Sequence, residues 1–182
     1  MQKQGVLSFA ILAGGHGGRL KGLDKGLVKL LDGKTMVEHV INAVKWLEEE
    51  VLIVVHDEDQ AERYLKTLER YRVKVVVDVL PTIRSPLVGV LTALKNSSKN
   101  LVMVLPCDTP FVSRSFVKFM VEKACSVKGF FNVLVPRWPN GWIEPLHAVY
   151  AKNISRVIEK VVRSGVLDFK SLTKKIPKKA MK

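Results

Sequence analysis

The sequence predicts an α/β domain of three layers, with helices on both faces of a mostly parallel sheet. Three observations support this. Apolar runs of strand length, Val6 to Ala13, Val51 to Val55, Val73 to Val77 and Leu101 to Leu105, alternate with segments of helical periodicity. The runs are apolar nearly throughout, as strands covered on both faces are. Polar residues gather directly after them: glycines after the first, Asp78 after the third and Asp108 after the fourth. In open parallel sheets, ligands bind at those carboxyl ends.

After the first strand, a short apolar segment, Leu27 to Leu31, leads to the turn Asp32-Gly33-Lys34. Thr35 and Glu38 have the spacing of a capping box. Met36, Val37, Val40, Ile41, Val44 and Leu47 then recur on one helical face, predicting a helix to near Glu50. The strand Val51 to Val55 is followed by a charged helix over about Asp59 to Glu69. Past Val73 to Val77 and the loop Val79 to Arg84, Ser85-Pro86 reads as a helix start, with Leu87, Val90, Leu91 and Leu94 as its apolar stripe. Ser113 caps a helix to about Val127 that turns Phe116, Phe119 and Met120 inward. Val133 to Val135 and Leu146 to Tyr150 are two further strands around a long loop holding Trp138 and Trp142. Helices over Ile154 to Arg163 and Phe169 to Lys174 complete the series.

The 182 residues suit one domain, long enough to bury about 70% of the unfolded surface. Hydrophobic residues at 47% and charged residues at 26% argue against extensive disorder. The apolar N-terminal run meets a glycine-rich basic loop instead of a cleavage site, and no run approaches a membrane span, so the chain reads as cytoplasmic with no membrane partner. Two cysteines, Cys107 and Cys125, give neither a disulfide framework nor a zinc cluster. Of the net charge of +13, the segment from Lys152 onward holds ten Lys or Arg against Glu159 and Asp168, a net +8. With no aromatic residues interleaved to stack bases, that segment reads as a solvated face, and no specific nucleic-acid partner is expected.

The densest chemistry lies in LAGGHGGRLKGLDKG, Leu12 to Gly26. Gly14, Gly15, Gly17 and Gly18 let backbone N–H groups approach an anion, and Arg19 and Lys25 supply positive charge. The spacing is neither G-x-G-x-x-G nor that of a P-loop. A carboxylate after a buried strand, as at Asp78 and Asp108, can help hold Mg²⁺. Singly, each motif also fits a structural role: a loop, a turn start, an Asx turn.

Together they resemble a known family. LAGGHGGRLKGLDK, Asp78, SPLVGVLTAL, LVMVLPCDTPFV and EPLHAVY are similar, in the same order, to segments of the molybdenum cofactor guanylyltransferases, with Leu20 and Lys21 replacing Met and Gly. The resemblance spans about four-fifths of the chain. It implies a nucleotidyltransferase fold of the glycosyltransferase-A-like type and transfer of GMP from GTP to the terminal phosphate of molybdopterin, with release of pyrophosphate. It implies nucleotide binding by Leu12, Ala13, Gly14, Gly15, Lys25, Asp78 and Asp108, and Mg²⁺ held on Asp108. Arg19, Lys25 and Asp108 are the implied catalytic groups. Related cytidylyltransferases carry alanine in place of Gly14, which favours guanine. Other proteins of molybdenum cofactor biosynthesis are implied partners. Two alternatives stand beside this reading: a related nucleotidyltransferase using CTP or another phosphorylated acceptor, and a binding module without turnover.

Six further residues have roles that the motifs do not assign. His56 stands where some members have a nucleotide-contacting asparagine, and a lone histidine after a strand also fits a surface or capping position. His16 is expected in solvent and His147 in strand packing. Trp138 and Trp142 suit either stacking on a pterin or packing. Ser85, in place of the family's glycine, either tightens its loop or caps the helix. The family's Asn-x-Asn-Thr-Pro-Glu segment has no counterpart in the sequence, a difference expected on the pterin side.

Overall fold

The computed structural model describes residues 7–15, 24–127 and 131–175. The strands are β1 (Ser8–Leu12), β2 (Val51–Val55), β3 (Lys74–Val77), β4 (Leu101–Pro106), β5 (Val133–Leu134) and β6 (Val149–Ala151). They pair in one sheet of order β3-β2-β1-β4-β6-β5. β1, β2, β3 and β4 are mutually parallel, with Ala10 opposite both Leu52 and Val104, whereas β6 runs antiparallel to β4 and to β5. The mostly parallel sheet is therefore as expected.

The helices are α1 (Met36–Val44), α2 (Glu58–Thr67), α3 (Pro86–Asn96), α4 (Arg114–Ser126), α5 (Ser155–Arg163) and α6 (Phe169–Lys175). Strand alternation divides the interior into two cores. Phe9, Ile11, Ile53, Val55, Met103 and Leu105 pack with Val37, Val40 and Ile41 of α1, Tyr64 of α2 and Val117 and Met120 of α4. Ala10, Leu52, Val54, Val102 and Val104 pack on the other side with Leu87, Leu91 and Leu94 of α3 and Ile158 and Val161 of α5. Side chains of successive strand residues point to opposite faces, so an all-apolar strand produces two cores at once. No described helix is long and apolar enough to cross a membrane.

Local signals fix most helix starts. The Thr35 N–H donates to Glu38 Oε2 at 2.7 Å while the Glu38 N–H donates to Thr35 Oγ1 at 3.4 Å, the reciprocal pair that the sequence spacing predicts. Ser85 caps α3 through the Leu87 N–H, and Ser113 caps α4 through the Phe116 N–H.

Three features differ from expectation: the end of α1, the facing of Phe119 and the start of the last strand. α1 ends at Val44, passes through a 3₁₀ turn over Lys45–Leu47, and reverses at Glu48 with φ of 56°. β2 must begin at Val51 to register with Phe9, and the Glu50 carboxylate is held by the Ser98 N–H at 2.9 Å, so the chain has to turn before Glu50. In the short apolar segment before the Asp32 turn, Lys25–Leu27 forms a 3₁₀ turn, Lys29 makes one isolated bridge to Thr35, and Leu31 is exposed. Phe119 faces solvent, because Val117, Met120 and Ala124 already occupy the buried face of α4. In Leu146 to Tyr150 the first residues form a 3₁₀ turn, Pro145–His147, and only from Val149 does the chain pair with β4.

Candidate active site

From β1 the chain adds β2 and β3 toward one edge of the sheet, then returns to place β4 on the other side of β1. The strand order therefore reverses between β1 and β4, where a parallel sheet leaves a crevice at its carboxyl ends. Backbone bonds carry the ladder past the strand ends there. The Ala13 N–H donates to Val54 O at 2.7 Å, the Asp78 N–H to Val55 O at 2.9 Å and the Cys107 N–H to Leu12 O at 3.0 Å.

A cavity of about 350 Å³ opens at this crevice. Its lining includes Leu12, Gly14, Gly15, Lys25, Asp78 and Asp108, which are most of the site residues the sequence proposes. Ala13 is buried directly beneath, with its carbonyl bonded to Gln60. Arg19 lies outside the described residues, as do His16, Gly17, Gly18 and Lys21.

Three groups surround the cavity. Lys25 Nζ lies 3.5 Å from Asp108 Oδ2, with both side chains a little under half exposed. This pair combines a cation and a carboxylate that solvent and ligands can both reach. The second group is nearly buried: His56 Nδ1 lies 3.3 Å from Asp78 Oδ2, and the Thr92 hydroxyl donates to Asp78 Oδ1 at 3.1 Å. Burial pushes the Asp78 carboxyl above its usual range, against the pull of His56 and Thr92 and the positive charge of Arg84. The third is the start of α3, where Ser85 and Pro86 line the wall and the helix dipole adds positive potential. Cys107 also lines the cavity, but burial, and after it the charges of Asp108 and Asp24, pushes its thiol up to about 12. It is a packing group at neutral pH.

Gly14 sits where backbone approaches backbone. A methyl there would stand 3.2 Å from the His56 nitrogen and 3.4 Å from Asp78 Oδ2, tighter than ordinary contact on the first count. The absent side chain thus keeps the ends of β1 and β2 together beside the buried pair.

His56 departs from the surface or capping position expected for a lone histidine after a strand: it is 6% exposed and bonded to Asp78. His147 lies in the 3₁₀ turn before β6, edge-on to Phe116, instead of packing within a strand, and burial lowers its pKa. Trp138 and Trp142 are exposed on the β5–β6 connection, and neither is core. Arg84, Thr92, Gln60 and Tyr64 belong to the site or its support and are absent from the sequence-based set. No sequence signal marked Gln60 or Tyr64, which sit in a charged segment whose buried face is defined only once α2 packs on the sheet.

Lys25 is carried on a short segment anchored from α2. Tyr64 Oη donates to Asp24 Oδ1 at 2.7 Å, Gln60 Nε2 donates to Asp24 Oδ2 at 2.6 Å, and the Gly26 N–H donates to Asp24 Oδ1 at 3.3 Å. Gly26 packs so closely on Tyr64 that a methyl would stand 2.1 Å from its oxygen.

No cluster of three His, Cys, Asp or Glu able to hold a metal occurs among the described residues. Mg²⁺ does not require one, since it commonly takes one or two carboxylates with substrate phosphates and water. Asp108, accessible just past the strand end and within 3.5 Å of the half-exposed Lys25 ammonium, fits that mode.

Residues 9–176 match the MobA-like NTP transferase domain family. The chain is 38% identical over 152 residues to a protein of Methanothermobacter thermautotrophicus named "probable molybdenum cofactor guanylyltransferase", covering 84% of this chain and 75% of that one. It is 33% identical to a molybdenum cofactor guanylyltransferase of Vibrio atlanticus, over 87% of this chain and 75% of the other. Among solved structures, the molybdopterin-guanine dinucleotide biosynthesis protein A of Archaeoglobus fulgidus superposes with a TM-score of 0.75 at 25% identity, covering 93% of this chain and 80% of that one.

Proposed function

The chain belongs to the MobA-like NTP transferase family, and on that footing we propose that it transfers GMP from GTP to the terminal phosphate of molybdopterin. It is a nucleotidyltransferase of molybdenum cofactor biosynthesis. An oxygen of the acceptor phosphate attacks the α-phosphorus of GTP, a new P–O bond forms, and the bond to the bridging oxygen breaks with its electron pair leaving on pyrophosphate. The attacking oxygen is already ionised at neutral pH, so no general base is needed.

The observation that carries the proposal is the meeting of Lys25 and Asp108 beside Gly14 at the point where strand order reverses. Joining two anions is mainly a task of positioning and charge neutralisation. Lys25 holds the triphosphate and offsets the charge that builds on departing pyrophosphate. Arg19 is assigned the same kind of work. Leu12, Ala13, Gly14 and Gly15 shape the nucleotide's bed, and the Asp78–His56 pair fixes its wall. Asp108 would hold Mg²⁺, which when bound supplies further neutralisation of phosphate charge. The unpaired cysteines support a reducing, cytoplasmic setting.

The test is direct. Purified chain with GTP, Mg²⁺ and molybdopterin should release pyrophosphate in step with formation of the dinucleotide. Turnover with CTP but not GTP would overturn the guanine assignment, and turnover only with a different phosphorylated acceptor would overturn the molybdopterin assignment.

A further inference from the structure

We propose that Gln60 is a positioning residue, whose buried carboxamide fixes Lys25 over the triphosphate site by tying Asp24 to the ends of β1 and β2. The proposal rests on the assignment of Lys25 to the triphosphate.

Gln60 is 5% exposed, on the first turn of α2, and it makes three bonds. Its Oε1 accepts from the His56 N–H at 2.7 Å, and its Nε2 donates to Ala13 O at 3.0 Å and to Asp24 Oδ2 at 2.6 Å. The chemistry of the partners orients the amide. A backbone N–H requires an acceptor, while a carbonyl and a carboxylate require donors, so no other residue type of this length satisfies all three.

The bonds connect segments far apart in sequence. Ala13 closes β1, His56 closes β2, and Asp24 is the backbone neighbour of Lys25. Tyr64, one helical turn after Gln60, donates to the second oxygen of the same carboxylate at 2.7 Å. Asp24 is thereby gripped on both oxygens from a single rigid helix. A carboxylate so held cannot rotate without breaking a bond, and a buried group left unpaired is costly. Lys25 has a long, flexible stem, and its exposed contact with Asp108 is a weak anchor. The root of that stem is therefore set from α2.

Two variants of the full chain separate this role from a general contribution to folding. Gln60→Glu keeps the acceptor for His56 and replaces only the donor facing Ala13 O and Asp24. Tyr64→Phe keeps the ring and removes one donor to Asp24. Calorimetric titration with GTP and with guanosine, on protein shown to be folded by circular dichroism, gives the readout. Gln60→Glu should weaken GTP binding by about tenfold or more, and Tyr64→Phe by roughly threefold. Guanosine, lacking the phosphates, should bind Tyr64→Phe within about twofold of the wild-type affinity, and Gln60→Glu, which also leaves Ala13 O without its donor, with a clearly smaller loss than GTP shows. Equal losses for GTP and guanosine, or unchanged GTP affinity in both variants, would overturn the proposal. Wild-type chain that binds GTP yet releases no pyrophosphate with molybdopterin would overturn guanylyl transfer alone, leaving the ratio of affinities to decide the role of Gln60. Wild-type chain without affinity for GTP would remove both.

Discussion

Lys25 Nζ and Asp108 Oδ2 lie 3.5 Å apart across the crevice, although 83 residues separate them in the chain. With both side chains a little under half exposed, the pair lies in high dielectric and is worth well under about 1 kcal/mol of stability. Lys25→Ala and Asp108→Asn should each leave the thermal unfolding temperature within about 2 °C of wild type. Pyrophosphate release should fall by about 100-fold or more in either variant. Initial rates with GTP, Mg²⁺ and molybdopterin, set beside melting curves, check both halves. A variant that lost much stability and little rate would contradict the assignment.

Gly26→Ala should destabilise the fold, since the new methyl would stand 2.1 Å from Tyr64 Oη. An overpacked site of this kind typically costs about 1–3 kcal/mol. Removing that oxygen with Tyr64→Phe should return part of the loss, because the neighbours then remaining, the ring carbon at 3.1 Å and Cys107 Sγ at 3.2 Å, are tight without being prohibitive. Chemical denaturation of the two single variants and the double variant measures the coupling. Strict additivity would show that the contact does not govern the cost.

Gly14→Ala should raise the KM for GTP by roughly tenfold, the scale of one methyl group in a tight binding site. The methyl meets the His56 nitrogen at 3.2 Å, and that backbone atom cannot swing aside like a side-chain end. The ends of β1 and β2 must part slightly, disturbing Asp78 with them. Parallel kinetics with GTP and CTP would show whether the purine suffers more. An unaltered KM for GTP would mean that the crevice absorbs the methyl freely.

The buried Asp78 carboxyl makes a pH prediction whose sign is opposite to that of an ordinary ion-paired aspartate. Burial raises its folded-state pKa above the unfolded value, so between the two values the folded chain binds more protons than the unfolded chain. Its contribution to stability is therefore fullest below the usual carboxylate range and is lost as pH rises through the raised value. Asp78→Asn, which removes the charge at nearly constant shape, should narrow the difference in melting temperature between mildly acidic and neutral pH. Melting curves of both proteins across that window give the answer. A wider difference in the variant would reverse the assigned cause.

The strand ends were legible because an apolar run followed by glycines or an acid can be recognised without tertiary information. Lys25 and Asp108 were reachable that way, and so was the mostly parallel sheet. Gln60 was not, since a glutamine within the charged segment EDQAERYLK looks like surface until its helix is placed against β1 and β2. His56 and Asp78 were each singled out in the sequence, but their pairing was not, because one histidine after a strand has no periodic partner and Asp78 lies 22 residues on. The end of α1 depended on where β2 must begin, a constraint of sheet register that helical periodicity cannot express. Phe119 shows the converse, an apolar residue whose face of α4 was surplus to the core.

β4 pairs in parallel with β1 on one side and antiparallel with β6 on the other, so it is the seam between two unequal halves. The parallel half is bound tightly by register, buried bonds and the grip of α2. The antiparallel half hangs on a two-residue β5 and an exposed connection through Trp138 and Trp142. Doubling the length of such a surface connection costs only about 0.6 kcal/mol in closure entropy. The β5–β6 connection can therefore lengthen or shorten at little cost to the fold, while the crevice between β1 and β4 stays shaped by the register and buried bonds of the parallel half alone.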